Sequence, residues 1–188
     1  MATAVATAQV NLTKTLTTSP ANLDLPETYR LRISVPNANG ALNLTAIGPV
    51  TDTLPPGTVF NGATPAADCQ PGCVGTTPAT VTWSNPCTVP LQPNQSCDVL
   101  VNVTFPSGTF PSGTSVTNSF TADATPLGAP PQTFGPVGVT HPVTTFVPAT
   151  VASGTPPRPR AYWMALRPGR SFVPDTMAAI VSSMWCFA

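Results

Sequence analysis

The sequence predicts an all-β fold: an immunoglobulin-like, two-sheet antiparallel sandwich of seven to eight strands with an irregular C-terminal tail. Three observations carry that expectation. Apolar residues alternate with polar ones at period two from residue 8 to about 125, and no window keeps a convincing 3.6-residue period before the extreme C-terminus. Turn residues break the alternation at short intervals, as between the strands of sandwiches. Prolines number 25 in 188 residues and only 7% of residues are charged, against roughly 25% in ordinary soluble domains.

The elements follow in order. Val10, Leu12 and Leu16 share one parity in the first candidate strand, and Tyr29, Leu31, Ile33 and Val35 alternate with Arg30, Arg32 and Ser34 in the second. Asn37-Ala-Asn-Gly40 is then a hairpin signal. Leu42 and Leu44 mark a third strand, Val50 and Leu54 a fourth that ends at Pro55-Pro56-Gly57, Val59-Phe60 a short fifth, and Val81 with Trp83 a sixth. Val99, Val101, Val103 and Phe105 form the clearest strand, and Val116, Phe120 and Ala122 the next. Residues 1–8 are therefore read as an N-terminal extension and 9–125 as the sandwich domain. Residues 126–149 form a Pro/Gly-rich stretch in which Thr133-Phe134 and Val137 to Val139 supply at most one edge strand. Residues 150–188 form a linker and tail. Four of the seven Lys/Arg, two of three Trp and three of four Met fall after Ala149, an abrupt change of character to which no function is assigned.

Composition excludes several classes of function. A net charge of zero, with no basic patch before Arg158, lacks the Lys/Arg density that nucleic-acid binding needs. No apolar run approaches the roughly 20 residues of a membrane-spanning helix. The first residues carry no positive region or long apolar core and are not read as a signal peptide. An extracellular or cell-surface location is instead inferred from the cysteines. Cys69 and Cys73 bracket a Pro-Gly turn, and Cys87 and Cys97 stand ten positions apart, so local pairing into two disulfides in an oxidising compartment is expected, with Cys186 free. These spacings do not match paired zinc ligands and the lone His141 lies far from both, so neither a metal nor a cofactor is expected.

The run Val50-Thr-Asp-Thr-Leu-Pro-Pro-Gly-Thr-Val-Phe60 resembles the signature of the conserved repeat domain of bacterial surface proteins, a domain-of-unknown-function family. Other blocks agree in order: Lys14-Thr15, Tyr29 to Val35, Trp83, Leu91-Gln-Pro-Asn-Gln-Ser96 and Val116-Thr-Asn118. The resemblance covers about residues 9 to 125 and departs from the family's pattern at the two cysteine pairs. It implies a sandwich strung in tandem on a cell surface as a spacer or stalk, with neighbouring repeat modules as partners and no enzymatic role. The alternative is an adhesive module that binds a carbohydrate or a surface protein through its loops, which a cluster of exposed aromatics at one end would favour.

One constellation carries chemistry. Lys14 is the only lysine, and its parity places it with Val10, Leu12 and Leu16; Asp52 shares parity with Val50 and Leu54, and Asn118 with Val116, Phe120 and Ala122. An amine, a carboxyl and a carboxamide thus point inward from three strands, which is costly unless they meet. Pilin and adhesin sandwiches, which the family is similar to, use such a trio to form an intramolecular Lys–Asn isopeptide bond. If the first strand lies beside the strand of Asn118 as a sheet neighbour, the amine can reach the carboxamide with Asp52 adjacent, and the two should link. The alternatives are a buried Lys14–Asp52 salt bridge with Asn118 satisfying backbone groups, and a Lys14 that snorkels to the sandwich edge. His141, beside Pro142 in a coil-like stretch without a nucleophile motif, is a weak candidate for a catalytic base, the seven Asp/Glu show no glycosidase-like pair, and Trp83 on core parity is read as core.

Overall fold

A computed structural model describes residues 9–38 and 40–147, all of whose regular structure is strand. In chain order the strands are β1 (Asn11–Leu16), β2 (Ala21–Asn22), β3 (Pro26–Ser34), β4 (Leu44–Thr53), β5 (Val59–Thr64), β6 (Thr80–Trp83), β7 (Ser96–Thr104), β8 (Thr114–Pro126) and β9 (Gln132–Thr144). They form a four-stranded sheet ordered β1-β3-β7-β5 and a five-stranded sheet ordered β2-β9-β8-β4-β6. Every pairing is antiparallel except the two-residue β2, which runs parallel to β9 through Ala21 and Val143. Among the described residues no helix is long and apolar enough to cross a membrane.

The alternation read from the sequence becomes the two faces of each sheet. In β3 the side chains of Glu27, Tyr29, Leu31 and Ile33 are buried while Thr28, Arg30, Arg32 and Ser34 are only partly covered. Arg30 and Arg32 lie on the outer face, where both pair with Asp98 of β7 and hold its carboxyl at a pKa of about 2, mainly through the Arg32 hydrogen bond. The inner faces of the two sheets meet in one core that includes Tyr29, Leu31, Ile33, Val50, Phe60, Trp83, Val99, Val101, Phe105 and Phe120. Such a core is about 10 Å thick, so side chains from opposite sheets reach each other across it.

Several local expectations are corrected. The Asn37 to Gly40 segment is not a hairpin, because β3 and β4 belong to different sheets and the segment crosses between them. Gly40 still takes a positive φ of 83°, so its turn chemistry was legible while the destination of the chain was not. The expected third and fourth strands are one strand, β4, whose register against β8 shifts between Leu44 and Ala46 and again between Ile47 and Val50. These bulges reset the parity, so Leu44, Ile47, Val50 and Asp52 all face inward although their spacing is not strictly even. Gly48 sits in the second bulge with φ of 134°, where a Cβ would fall 1.9 Å from the Ser84 carbonyl oxygen. Residues 132–144, within the stretch expected to add at most an edge strand, form the 13-residue β9, paired along β8 from Thr114–Val143 to Ala124–Gln132. The expectations for the tail and for Cys186 lie outside the described residues.

Candidate functional site

Lys14, Asp52 and Asn118 meet in the core, though their strands are not all sheet neighbours. β1 lies at the edge of the four-stranded sheet and β8 inside the five-stranded one, so the strands of Lys14 and Asn118 belong to opposite sheets and are not sheet neighbours. Asp52 stands opposite Phe120 in the β4–β8 ladder, which makes Asn118 its diagonal neighbour on the same face. The Lys14 Nζ donates to Asp52 Oδ1, and the Asn118 Nδ2 donates to Asp52 Oδ2 at 3.5 Å. Both charged side chains are fully removed from solvent, and the Asn118 carbonyl oxygen has no hydrogen-bond partner. The amine lies 5.1 Å from the centre of the Tyr29 ring and 5.7 Å from that of Phe120, so two aromatic rings border it.

Burial decides the protonation chemistry. It lowers the Lys14 pKa to about 8, against an opposing pull from Asp52. The lowered value makes the neutral amine far more populated near neutral pH than it is for an ordinary lysine. Burial likewise pushes the Asp52 carboxyl above the usual carboxylate range, and the Lys14 charge and hydrogen bond oppose the rise. Both shifts run toward a neutral amine beside a protonated acid. A neutral amine is a nucleophile, a carboxylic acid is a proton donor, and the adjacent carboxamide offers an electrophilic carbon.

His141, read from the sequence only as a weak catalytic base in a coil-like stretch, and Glu27, not singled out there, are also buried. His141 is not in coil: it lies in β9, is buried, and its Nε2 is 2.5 Å from the Tyr29 hydroxyl. Burial and the Asp52 charge push the Tyr29 hydroxyl above its ordinary pKa, while the Asn118 side chain pulls the other way. Phe105 packs edge-on against Tyr29, Phe110 and His141. The carboxylate of Glu27, also on the inner face of β3, is satisfied by the Thr18 hydroxyl, the Asn22 backbone N–H at 2.6 Å and the Asn22 side-chain amide at 3.2 Å.

The cysteines lie apart from this cluster. Cys69 and Cys73 are joined with Cα atoms 5.5 Å apart, and Cys87 and Cys97 with Cα atoms 5.8 Å apart. The first bridge closes a turn in which the Cys73 N–H donates to the Cys69 carbonyl. The second ties the β6–β7 loop to the start of β7, beside a shallow depression lined by Pro86, Thr88, Pro90, Leu91 and Gln95 that presents no charged group. Trp83 is core, its indole N–H donating to the Pro65 carbonyl at 3.0 Å. Phe146 is the one exposed aromatic among the described residues, so no aromatic cluster marks an end of the sandwich there. No group of three His, Cys, Asp or Glu side chains among the described residues is placed to hold a metal ion.

No family model and no curated protein matches the chain. Among solved structures it is similar to the major pilin subunit of Bacillus cereus, at 13% identity and a TM-score of 0.49 over 74% of this chain and 41% of that one. It is similar also to a DUF4466 family protein from Parabacteroides merdae, at 13% identity and a TM-score of 0.38 over 70% of this chain and 45% of that one. A third likeness is to AggA, the major subunit of aggregative adherence fimbriae type I from Escherichia coli, at 15% identity and a TM-score of 0.33 over 74% of this chain and 97% of that one. The chain spans less than half the length of the first two. These are distant likenesses of shape, and the chemistry of the site is carried by this chain's own buried side chains.

Proposed function

We propose that this domain is a structural spacer module of a secreted or surface-anchored bacterial repeat protein, locked internally by an isopeptide bond between Lys14 and Asn118. The observation that carries the reading is a complete amine–acid–carboxamide trio sealed from solvent, with the carboxamide oxygen left unpartnered. A reactive cluster closed to solvent has no access for an outside substrate, so its chemistry acts on the chain itself. Leaving such a trio merely buried is costly, since each ion of a buried pair loses several kcal/mol of hydration and their attraction repays that fully only when every remaining polar atom is satisfied, which Asn118 Oδ1 is not.

The step balances within the trio. Lys14 passes a proton to the Asp52 carboxylate, and the freed lone pair on Nζ attacks Asn118 Cγ, forming a C–N bond. Asp52 relays a proton from the attacking nitrogen to Nδ2. The Cγ–Nδ2 bond then breaks, ammonia departs, and one N–H remains on the new secondary amide. Asp52 ends protonated, the state that burial favours. The bond joins the first strand of one sheet to the penultimate strand of the other, so load applied to the chain's ends bypasses residues 15–117.

Intact mass tests the proposal. The wild-type protein should be lighter than its sequence by one ammonia, beyond the hydrogens lost to disulfides, and Asp52→Ala should restore that mass. A wild type at full mass would leave an uncross-linked buried cluster and remove the covalent lock.

A further inference from the structure

We infer that residues 65–79, pinned by the Cys69–Cys73 bridge, cover the outer edges of β5 and β6 and so keep both strands from pairing with a second copy of this chain. The inference stands on this loop alone and is independent of the Lys14–Asn118 bond. β5 ends the four-stranded sheet and β6 ends the five-stranded one, so each has a strand neighbour on one side only. Such an edge presents a row of backbone N–H and C=O groups to any strand that meets it. Identical edges are self-complementary when two copies meet about a two-fold axis, so a second copy is the partner they fit.

The loop meets each edge with hydrogen bonds of the kind a strand would make. On β5, the Phe60 N–H donates to the Thr76 carbonyl at 2.9 Å and the Gly75 N–H to the Phe60 carbonyl at 2.7 Å, so both backbone groups of Phe60 are occupied. Further along β5, the Ala63 N–H donates to the Gln70 side-chain carbonyl at 3.2 Å, which also accepts from the Ala67 N–H at 2.7 Å. On β6, the Asp68 N–H donates to the Thr82 carbonyl at 2.9 Å. The Asp68 carboxylate accepts from the Ser84 N–H at 3.0 Å and from the Ser84 hydroxyl at 2.7 Å.

The bridge holds these contacts together. Cys69 lies between Asp68, which caps β6, and Gln70, which caps β5. Cys73 begins the turn that carries Gly75 and Thr76 to Phe60, and its carbonyl accepts from the Thr76 N–H at 3.3 Å and the Thr76 hydroxyl at 2.6 Å. One covalent bond therefore ties the arm on β6 to the arm on β5. Little else anchors the segment: of residues 65–79 only Ala67 and Cys73 are buried, and the Trp83 indole holds only the Pro65 carbonyl. A segment with so little buried apolar surface opens readily once its closure is lost. The opposite side of the sandwich is protected by other means. There β2 covers β9 at Val143 and Thr144, and Pro142, which has no N–H to offer, comes next.

The test is the association state of the full-length chain carrying Cys69→Ser and Cys73→Ser together, which opens the bridge without a reductant and leaves Cys87–Cys97 closed. Every protein compared also carries Cys186→Ser, so that no disulfide between molecules contributes. Sedimentation velocity should show the chain with the bridge as a monomer and the chain without it as a dimer and larger species that grow with concentration. In dilute samples, hydrogen exchange at the Phe60 and Ala63 amides should be roughly tenfold faster without the bridge. Adding Thr80→Lys, at an exposed position of β6, should return the opened chain to monomer while the fast exchange remains, because like charges then meet at the contact. An opened chain that stays monomeric at every concentration tested would overturn the inference. Association that Thr80→Lys leaves unchanged would overturn it too, as would a bridged chain that already associates. Should the opened chain not unfold cooperatively, Asp68→Ala with Gln70→Ala, which keeps the bridge and removes the side-chain contacts to both edges, decides by the same readouts.

Discussion

Replacing Asn118 with alanine removes the electrophile while leaving the Lys14–Asp52 pair in place, so it isolates the contribution of the cross-link. The bond would close a loop from residue 14 to residue 118, 118 − 14 = 104 residues along the chain. The chain-entropy model gives about 4.7 kcal/mol for a covalent loop of roughly that length. At about 2–4 °C per kcal/mol for a domain of this size, the melting temperature of Asn118→Ala should fall by about 10–20 °C. The non-covalent account gives much less: the lost hydrogen bond to Asp52 is long, at 3.5 Å, and such a bond is worth about 1 kcal/mol net. Removing an unpartnered carbonyl oxygen offsets part even of that. The assay is thermal and urea unfolding with both disulfides intact. Because a cross-link restrains the unfolded chain, the variant should also show a steeper dependence on urea than wild type. A drop of only a few degrees with an unchanged slope would refute the covalent account of the site.

Three other predictions follow from the same geometry. Gly48→Ala places a Cβ 1.9 Å from the Ser84 carbonyl oxygen at φ of 134° and should cost about 2–4 kcal/mol by urea unfolding; a variant as stable as wild type would mean that the β4 bulge does not set the strand's parity. In Asn118→Ala the unlinked Lys14 has a folded pKa of about 8 against 10.5 unfolded, so between those values the unfolded chain binds more protons and stability rises with pH, by on the order of 3 kcal/mol across the whole window. Urea unfolding from about pH 7 to 9.5 reads this, and a flat or falling profile would contradict the burial of the amine. Stretched by its ends with both disulfides intact, wild type should extend by about 310 Å less than Asn118→Ala, the length of residues 15–117 held behind the bond (103 residues) less the 12 that the disulfides loop out in either protein. Equal extensions in force spectroscopy would deny the module its role as a load-bearing spacer.

The sandwich was legible because period-two burial acts residue by residue, and Tyr29 to Val35 or Val99 to Phe105 show it without interruption. Lys14, Asp52 and Asn118 were found by the same parity, as polar residues in apolar positions. Parity says which face a side chain takes and not which sheet its strand joins, so the sequence left open whether β1 and β8 would be sheet neighbours; they belong to opposite sheets. The bulges of β4 were hidden for a related reason: they break the period that made the other strands visible. His141 was considered but placed in coil, although the strand signal was present. Val137, Val139, His141 and Val143 alternate with Gly138, Thr140 and Pro142, a strand pattern obscured by the prolines and glycines around it. Glu27 shares the parity of Tyr29 and Leu31 and was equally readable. The Tyr29–His141 contact joins residues 112 apart on opposite sheets and had no local signature.

Lys14 is the only lysine in the chain, so labelling lysine side-chain nitrogen with nitrogen-15 gives a single side-chain signal whose chemistry answers the central question. The account predicts a secondary-amide N–H resonance that couples to the Asn118 side-chain carbonyl carbon, together with loss of the Asn118 primary-amide pair. A lysine signal that remains an amine or ammonium, with the Asn118 amino group still present, would contradict it.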